Sequence, residues 1–225
     1  MDIVLVHGAW CGGWIWDDVA HRLRSAGHEV HVVEQLPSSD PAAFGDLAAD
    51  AKHLRAVIDR CAGEAFVVGH SYGGMVLTEV ADHPKIRHSA YLTAFWPVAG
   101  QSLMDIRSEH HLEWLTGGPD GTLHITDDQE IARQVLGSDV DSDRFAIFHR
   151  NRQAQSVASF TSVSTAPPRN HPTTYVVCER DQGIQLADQE RMASRADVVH
   201  RLDAAHLAPF SQPEALTKLL LGLRS

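Results

Sequence analysis

One six-residue stretch, Gly69-His70-Ser71-Tyr72-Gly73-Gly74, constrains this chain more than any other. The apolar run Ala65-Phe66-Val67-Val68 leads into it, and a helix-patterned run, Met75 to Asp82, leads out. A strand that turns sharply into a helix with serine at the apex is the context in which G-x-S-x-G exposes a nucleophile. The turn cramps the serine backbone, so only small neighbours leave room for strand and helix to cross. Ser71 is therefore the candidate nucleophile. Without that strand and helix, the same residues would read as a loop serine capping a helix.

A serine hydroxyl is a poor nucleophile at neutral pH and needs a base, a group that orients the base and an oxyanion hole. In this class of site the partners follow the serine in the order acid, then histidine. The β-branched run Thr173 to Cys178 ends in Glu179-Arg180-Asp181-Gln182-Gly183, which makes Asp181 the expected carboxylate, with Glu179 in reserve. Asp188 and Glu190 fall in a helix-patterned stretch and are expected on a solvated face. After the next apolar run, Val198 to Leu202, comes His206, chosen among 15 histidines by its place on a loop after a late strand. His70 is expected to point away from the cleft, and His7 to be a structural turn residue. His83, His88, His110 and His111 show no H-E-x-x-H spacing, and no thiolate cluster accompanies them, so neither metal nor cofactor is expected. The expected oxyanion donors are the backbone N–H groups of Tyr72 and of Ala9, the latter in the turn after Ile3-Val4-Leu5-Val6, with Trp10 as the fallback.

Val6-His7-Gly8-Ala9-Trp10-Cys11-Gly12-Gly13-Trp14-Ile15-Trp16, the Gly69–Gly74 turn, Glu179-Arg180-Asp181 and Ala205-His206 together resemble the α/β-hydrolase superfamily. The first segment is similar to the branch of plant methylesterases, plant hydroxynitrile lyases and bacterial esterases. Tyr91 to Pro97 and Gly100 to Leu103 extend the resemblance, which is weakest between Met104 and Ser164. It implies a mostly parallel, doubly wound sheet of about six strands, a helical lid, and ester chemistry through a Ser-His-Asp triad. The lyases of that branch carry threonine where this chain has Gly8, and lysine where it has Leu207; hydrolysis is the activity the resemblance leaves. Superfamily members that open epoxides or remove halogens need a carboxylate where Ser71 stands.

Strand-like runs near Ile3–Val6, Glu29–Glu34, Ala65–Gly69, His88–Thr93, Thr173–Cys178 and Val198–Leu202 alternate with helical ones, Asp17–Ala26 and Ala42–Cys61 among them. The organisation expected is one structural domain: a core over 1–96, an inserted lid over 97–168 and the rest of the core over 169–225. A 72-residue break in the strand–helix rhythm is too long for a plain connection. Within it Ser102–Leu115, Asp127–Leu136 and Asp143–Ala158 read as helices, with the turn Gly117-Gly118-Pro119-Asp120-Gly121 between the first two. Trp10, Trp96, Trp114 and Phe148 are the candidate pocket aromatics; Trp114, Phe145 and Phe148 read more readily as the lid's own core, and Trp10, beside the oxyanion turn, and Trp96, at the lid entrance, are the better candidates.

The formal net charge of −10 disfavours nucleic acid and anionic membrane surfaces as partners. No apolar run approaches the roughly 20 residues of a membrane span. The opening Met1-Asp2 has no basic leader, and three widely spaced cysteines fit reduced thiols, so a cytoplasmic location is expected. The expected partner is a small, fairly apolar ester; self-association as a homodimer is left open. The alternatives are a biosynthetic thioesterase, cyclase or lyase on the same fold, and a ligand-binding receptor that retains the pocket.

Overall fold

The computed structural model describes residues 1–42, 44–108, 114–118 and 120–223. Nine strands run in chain order: β1 (Asp2–Val6), β2 (Val30–Val32), β3 (Ala65–Ser71), β4 (Ile86–Ala94), β5 (Leu115–Gly117), β6 (Thr122–Ile125), β7 (Gln155–Ser156), β8 (Thr173–Cys178) and β9 (Val198–Leu202). Six of them form one sheet in the order β2-β1-β3-β4-β8-β9, and every pairing in it is parallel. This is the doubly wound α/β sheet that the sequence leads one to expect. Strands β1, β3 and β8 are buried along their whole length, which is why they read as unbroken apolar runs and not as alternating ones. Only β9, at the sheet edge, leaves valines exposed, Val198 at 44% and Val199 at 42%.

A parallel sheet brings all of its strand ends to one edge, and there the chain order makes the site. It runs outward from β1 to β2 and returns to β3 on the other side of β1, so a crevice opens where the winding reverses. Four strands deliver candidate residues to that edge: β1 to Ala9, β3 to Ser71, β8 to Asp181 and β9 to His206.

The 97–168 segment departs from the expected three helices. Its first helix is a single turn, Leu103–Ile106, closed by a Ser102/Asp105 capping box. The remainder of the expected Ser102–Leu115 helix falls partly on 109–113, outside the described residues. Leu115 itself opens a strand. The glycine turn joins β5 to β6 as an antiparallel hairpin, because Gly121 at φ 69° supplies the left-handed turn conformation and Thr122-Leu123-His124-Ile125 favours strand. Pro119 of that turn also lies outside the described residues. The expected third helix ends at Asn151; β7 then pairs with β6, and a short helix, Val157–Thr161, follows. Buried Gln155 causes the break: its amide donates to the hydroxyls of Ser38 and Ser159, a network that helix continuation would disrupt.

Candidate active site

Ser71 sits at the apex of the β3-to-helix turn with φ at 53°, a left-handed conformation that costs a non-glycine residue on the order of 1–3 kcal/mol. The helix that leaves it, Gly73–Glu79, passes so close to the end of β1 that a Cβ on Gly73 would stand 2.7 Å from the His7 carbonyl oxygen. Glycine is obligatory there, and the strained serine is held by the packing around it.

The structure brings Ser71, His206 and Asp181 together. Because a carboxylate only accepts, His206 Nδ1–H donates to Asp181 Oδ2 over 2.7 Å, and in the neutral ring Nε2 is then the accepting nitrogen. The Ser71 hydroxyl donates to that Nε2 over 3.0 Å. All three residues are buried, at 5% for Ser71, 2% for Asp181 and 7% for His206, so the contacts are shielded from bulk water. The Asp181 carboxylate is fully engaged, with Oδ1 accepting from the Gly183 and Ile184 amides at 2.7 and 3.0 Å. Its Oδ2 also accepts from the Thr93 hydroxyl.

Thr93 is a contact that sequence reading missed. Opposite β3, the register of β4 jumps from Leu92 to Ala94 and leaves Thr93 as an unpaired extra residue at φ 34°. A bulge re-aims a side chain, and here it turns the Thr93 hydroxyl onto the carboxylate. His70 was also under-read. Its Nε2–H donates to the His206 backbone carbonyl at 2.8 Å, so the residue before Ser71 helps hold the loop that carries the imidazole. Burial, then the neighbouring His206, pushes the His70 pKa well below the ordinary value and keeps that ring neutral. His7 is the structural residue expected: Nδ1–H donates to the Gly8 carbonyl, and burial lowers its pKa to about 4.

Glu179 lies 44% exposed beside Arg201 at 3.6 Å, away from His206. Glu190 is similarly solvated, in an ion pair with Arg201 at 2.6 Å. Asp188 is not on a solvated face. It is buried, it lines the cavity above Ser71, and it accepts from the Ser108 hydroxyl and amide and from Arg191. A helix pattern alone does not reveal which polar position a neighbouring segment will cover.

Ala9 and Tyr72 both line that cavity with Ser71, where two backbone donors were expected. Trp10, at φ 60°, is anchored on both sides: its indole N–H donates to the Leu123 carbonyl of β6, and its own carbonyl accepts from the Gln153 amide. Tyr72 is anchored by its hydroxyl, which donates to Asp50 Oδ2 at 2.6 Å. Burial pushes the Asp50 carboxyl up to about 6, with hydrogen bonds from Ser38 and Tyr72 holding back part of the rise. A carboxyl whose pKa is raised on folding binds a proton in the native state that the unfolded chain has released. Its contribution to stability is therefore present below about pH 4 and lost as pH rises to about 6. Asp50→Asn is expected to lessen the loss of stability between those pH values, by up to about 3 kcal/mol. Urea unfolding at a series of pH values measures this; a profile matching wild type contradicts the raised pKa.

Two of the four expected pocket aromatics line the cavity. Trp10 and Trp114 meet edge-on at 5.2 Å, and Phe160, unforeseen from the sequence, meets Trp10 edge-on at 5.5 Å. Trp96 and Phe148 do not line it. Trp96 stacks on Tyr91 at 4.2 Å under Arg169 and Arg195, because the chain after β4 turns its indole down beside the sheet and away from the cleft. Phe148 packs on Phe145 and Trp14 as core of the inserted segment, since its helix faces the Gly13–Trp16 turn. His110 and His111 lie outside the described residues. Asp2, His31 and Cys61 place ligand-type atoms within 4.8 Å of one another, but at the opposite end of β1 from the cleft.

Known proteins resemble this chain in sequence and in fold. Residues 3–219 match the model of the alpha/beta hydrolase family. The chain is 46% identical over 110 residues to a carbendazim hydrolyzing esterase of a Nocardioides species, a match spanning 46% of each chain. It is 24% identical over 252 residues to Methylesterase 7 of Arabidopsis thaliana, covering 98% of this chain and 95% of that one. The crystal structure of a pyrethroid hydrolase from Sphingobium faniae superimposes with a TM-score of 0.85 at 22% identity, over 99% of this chain and 96% of that one, and so shares the fold. Among the described residues, no helix is long and apolar enough to cross a membrane.

Proposed function

The chain belongs to the alpha/beta hydrolase family, and from that premise we propose that it is a carboxylesterase that cleaves small, fairly apolar esters through an acyl-enzyme on Ser71. The observation that carries the proposal is the continuous relay from Ser71 Oγ to His206 Nε2 and from His206 Nδ1 to Asp181, at 3.0 and 2.7 Å, opening into an aromatic cavity. Names of relatives support the reaction class: an esterase acting on carbendazim and a plant methylesterase both match this chain.

The chemistry follows from the geometry. Ser71 Oγ attacks the ester carbonyl carbon as its proton passes to His206 Nε2. The charge formed on the carbonyl oxygen is met by the Ala9 and Tyr72 amides. Collapse expels the alcohol, which takes the proton from His206 and leaves the acyl group on Ser71. Water then attacks that acyl group and gives its proton to His206; the acid departs and Ser71 regains its hydrogen. Asp181 holds the imidazole tautomer in both halves and stabilises the imidazolium. The 97–168 segment acts as a lid whose Trp114 and Phe160 exclude water from the acyl group.

The runner-up is a lyase that releases cyanide from a cyanohydrin. Gly8 opposes it, because a Cβ there would stand 2.7 Å from Ser71 Cβ, leaving no room for a threonine hydroxyl with the backbone as it stands. Leu207, buried at 1%, supplies no ammonium beside His206. Purified protein is expected to hydrolyse short aryl and methyl esters, and to release cyanide from mandelonitrile no faster than buffer does. Cyanide release that vanishes in Ser71→Ala would overturn the esterase proposal in favour of the lyase.

A further inference from the structure

The cavity above Ser71 has aromatic and aliphatic walls, yet it contains one cation that no described residue balances. Arg107 follows the single-turn helix Leu103–Ile106 and lines the same cavity as Ser71 and His206. Its backbone is clamped on both sides: Arg191 donates to the Ile106 carbonyl at 2.7 Å, and the Ser108 amide and hydroxyl donate to Asp188 at 3.0 and 2.5 Å. Between those anchors the Arg107 guanidinium has a buried Nε with no hydrogen-bond partner among the described residues, and it enters no ion pair there. The nearby wall carboxylate does not serve it. Asp188 is engaged by Ser108 and by Arg191, which pairs with it at 2.6 Å.

Arg107 is only half-buried, and what a ligand in the cavity meets is its guanidinium charge, which no carboxylate of a described residue pairs, and not the sealed Nε–H. In a cavity of low polarity the best match to a planar N–H fork is a carboxylate, which accepts from two nitrogens at once. We infer that Arg107 selects esters bearing a free carboxylate on the part of the molecule remote from the scissile bond, that is, half-esters of dicarboxylic acids. The net charge of −10 repels anions at long range, so the preference arises from contact in the cavity and appears in KM, not from faster encounter.

The inference rests on the ester-hydrolase proposal for the same site, and the two fail separately. The test compares monomethyl glutarate and monomethyl terephthalate with their neutral dimethyl esters, using wild type, Arg107→Leu and Arg107→Lys. In wild type the half-esters are expected to be preferred. In Arg107→Leu the half-ester to diester ratio of kcat/KM should fall about 10–100-fold, mostly through KM, as loss of a hydrogen bond to a charged group implies. Arg107→Lys, which keeps the charge and loses the fork, should retain part of the preference. Calorimetric binding of glutarate and terephthalate provides a readout that needs no turnover, and it should weaken by a similar factor in Arg107→Leu. An unchanged ratio, or both substrate types falling together, overturns the role of Arg107 while leaving ester hydrolysis standing. Absence of turnover on every ester overturns the hydrolase proposal, and the binding measurement still decides on Arg107.

Discussion

Ser71→Ala is expected to fold as wild type does and to lose on the order of 10⁴–10⁶ in kcat on any ester the protein hydrolyses, because members of a triad act as a unit. Folding should survive because the turn is held by its surroundings. The Gly73 backbone packs against β1, and the Phe95 amide donates to the Ser71 carbonyl at 3.1 Å; neither contact involves the hydroxyl. Alanine also keeps the Cβ that already tolerates φ at 53°. The lost atom is the one that forms the new bond, so KM should change far less than kcat. A circular dichroism melt alongside single-turnover kinetics checks both halves of this expectation. Near-wild-type turnover by the mutant would sink the mechanism.

Asp181→Asn should come second, with a loss of about 10⁴ in kcat. The hydrogen bonds around this carboxylate explain why a near-isosteric change is so damaging. One oxygen accepts from His206 and Thr93, the other from the Gly183 and Ile184 amides. An asparagine amide must turn its NH₂ toward one of those two pairs of donors. If it faces His206, the imidazole is driven to the wrong tautomer, with Nε2 protonated and unable to take the Ser71 proton. If it faces the two backbone amides, the loop that carries the residue is disturbed. Glu179→Gln is the control, because Glu179 is exposed and, among the described residues, pairs with Arg201 alone, at 3.6 Å. Its kcat should stay within about twofold of wild type, as surface ion pairs contribute little. The reverse ranking of the two variants would assign the acid to Glu179.

The main sheet was legible because its strands are apolar or β-branched runs, the inner ones buried, separated by turn and helix signals; all six appear within a few residues of their expected limits. The positions of Ser71, Asp181 and His206 were legible for the same reason. Each lies at or just past the end of a parallel strand, and parallel strands end at one edge. The inserted segment was not. Its pieces are short, and their choice between helix and strand was settled by tertiary partners such as Ser38 for Gln155 and Trp10 for the β6 carbonyl, which lie over a hundred residues away. Thr93 escaped notice because a bulge, and not the ordinary strand alternation, directs its side chain. Trp96 was misplaced because a position at the entrance of the inserted segment does not say which way an indole turns, and Phe148 took the core role that its residue type equally allows.

The central claim is that Ser71 becomes acylated. Its most direct measurement is intact-mass and peptide mass spectrometry after brief exposure to a fluorophosphonate, which forms a stable bond only with an activated serine. One adduct per chain, located on Ser71, is expected. Labelling should be absent in Ser71→Ala and slowed by orders of magnitude in Asp181→Asn. A protein that hydrolyses esters at full rate while Ser71 remains unlabelled, or that takes the label on another residue, would contradict the account.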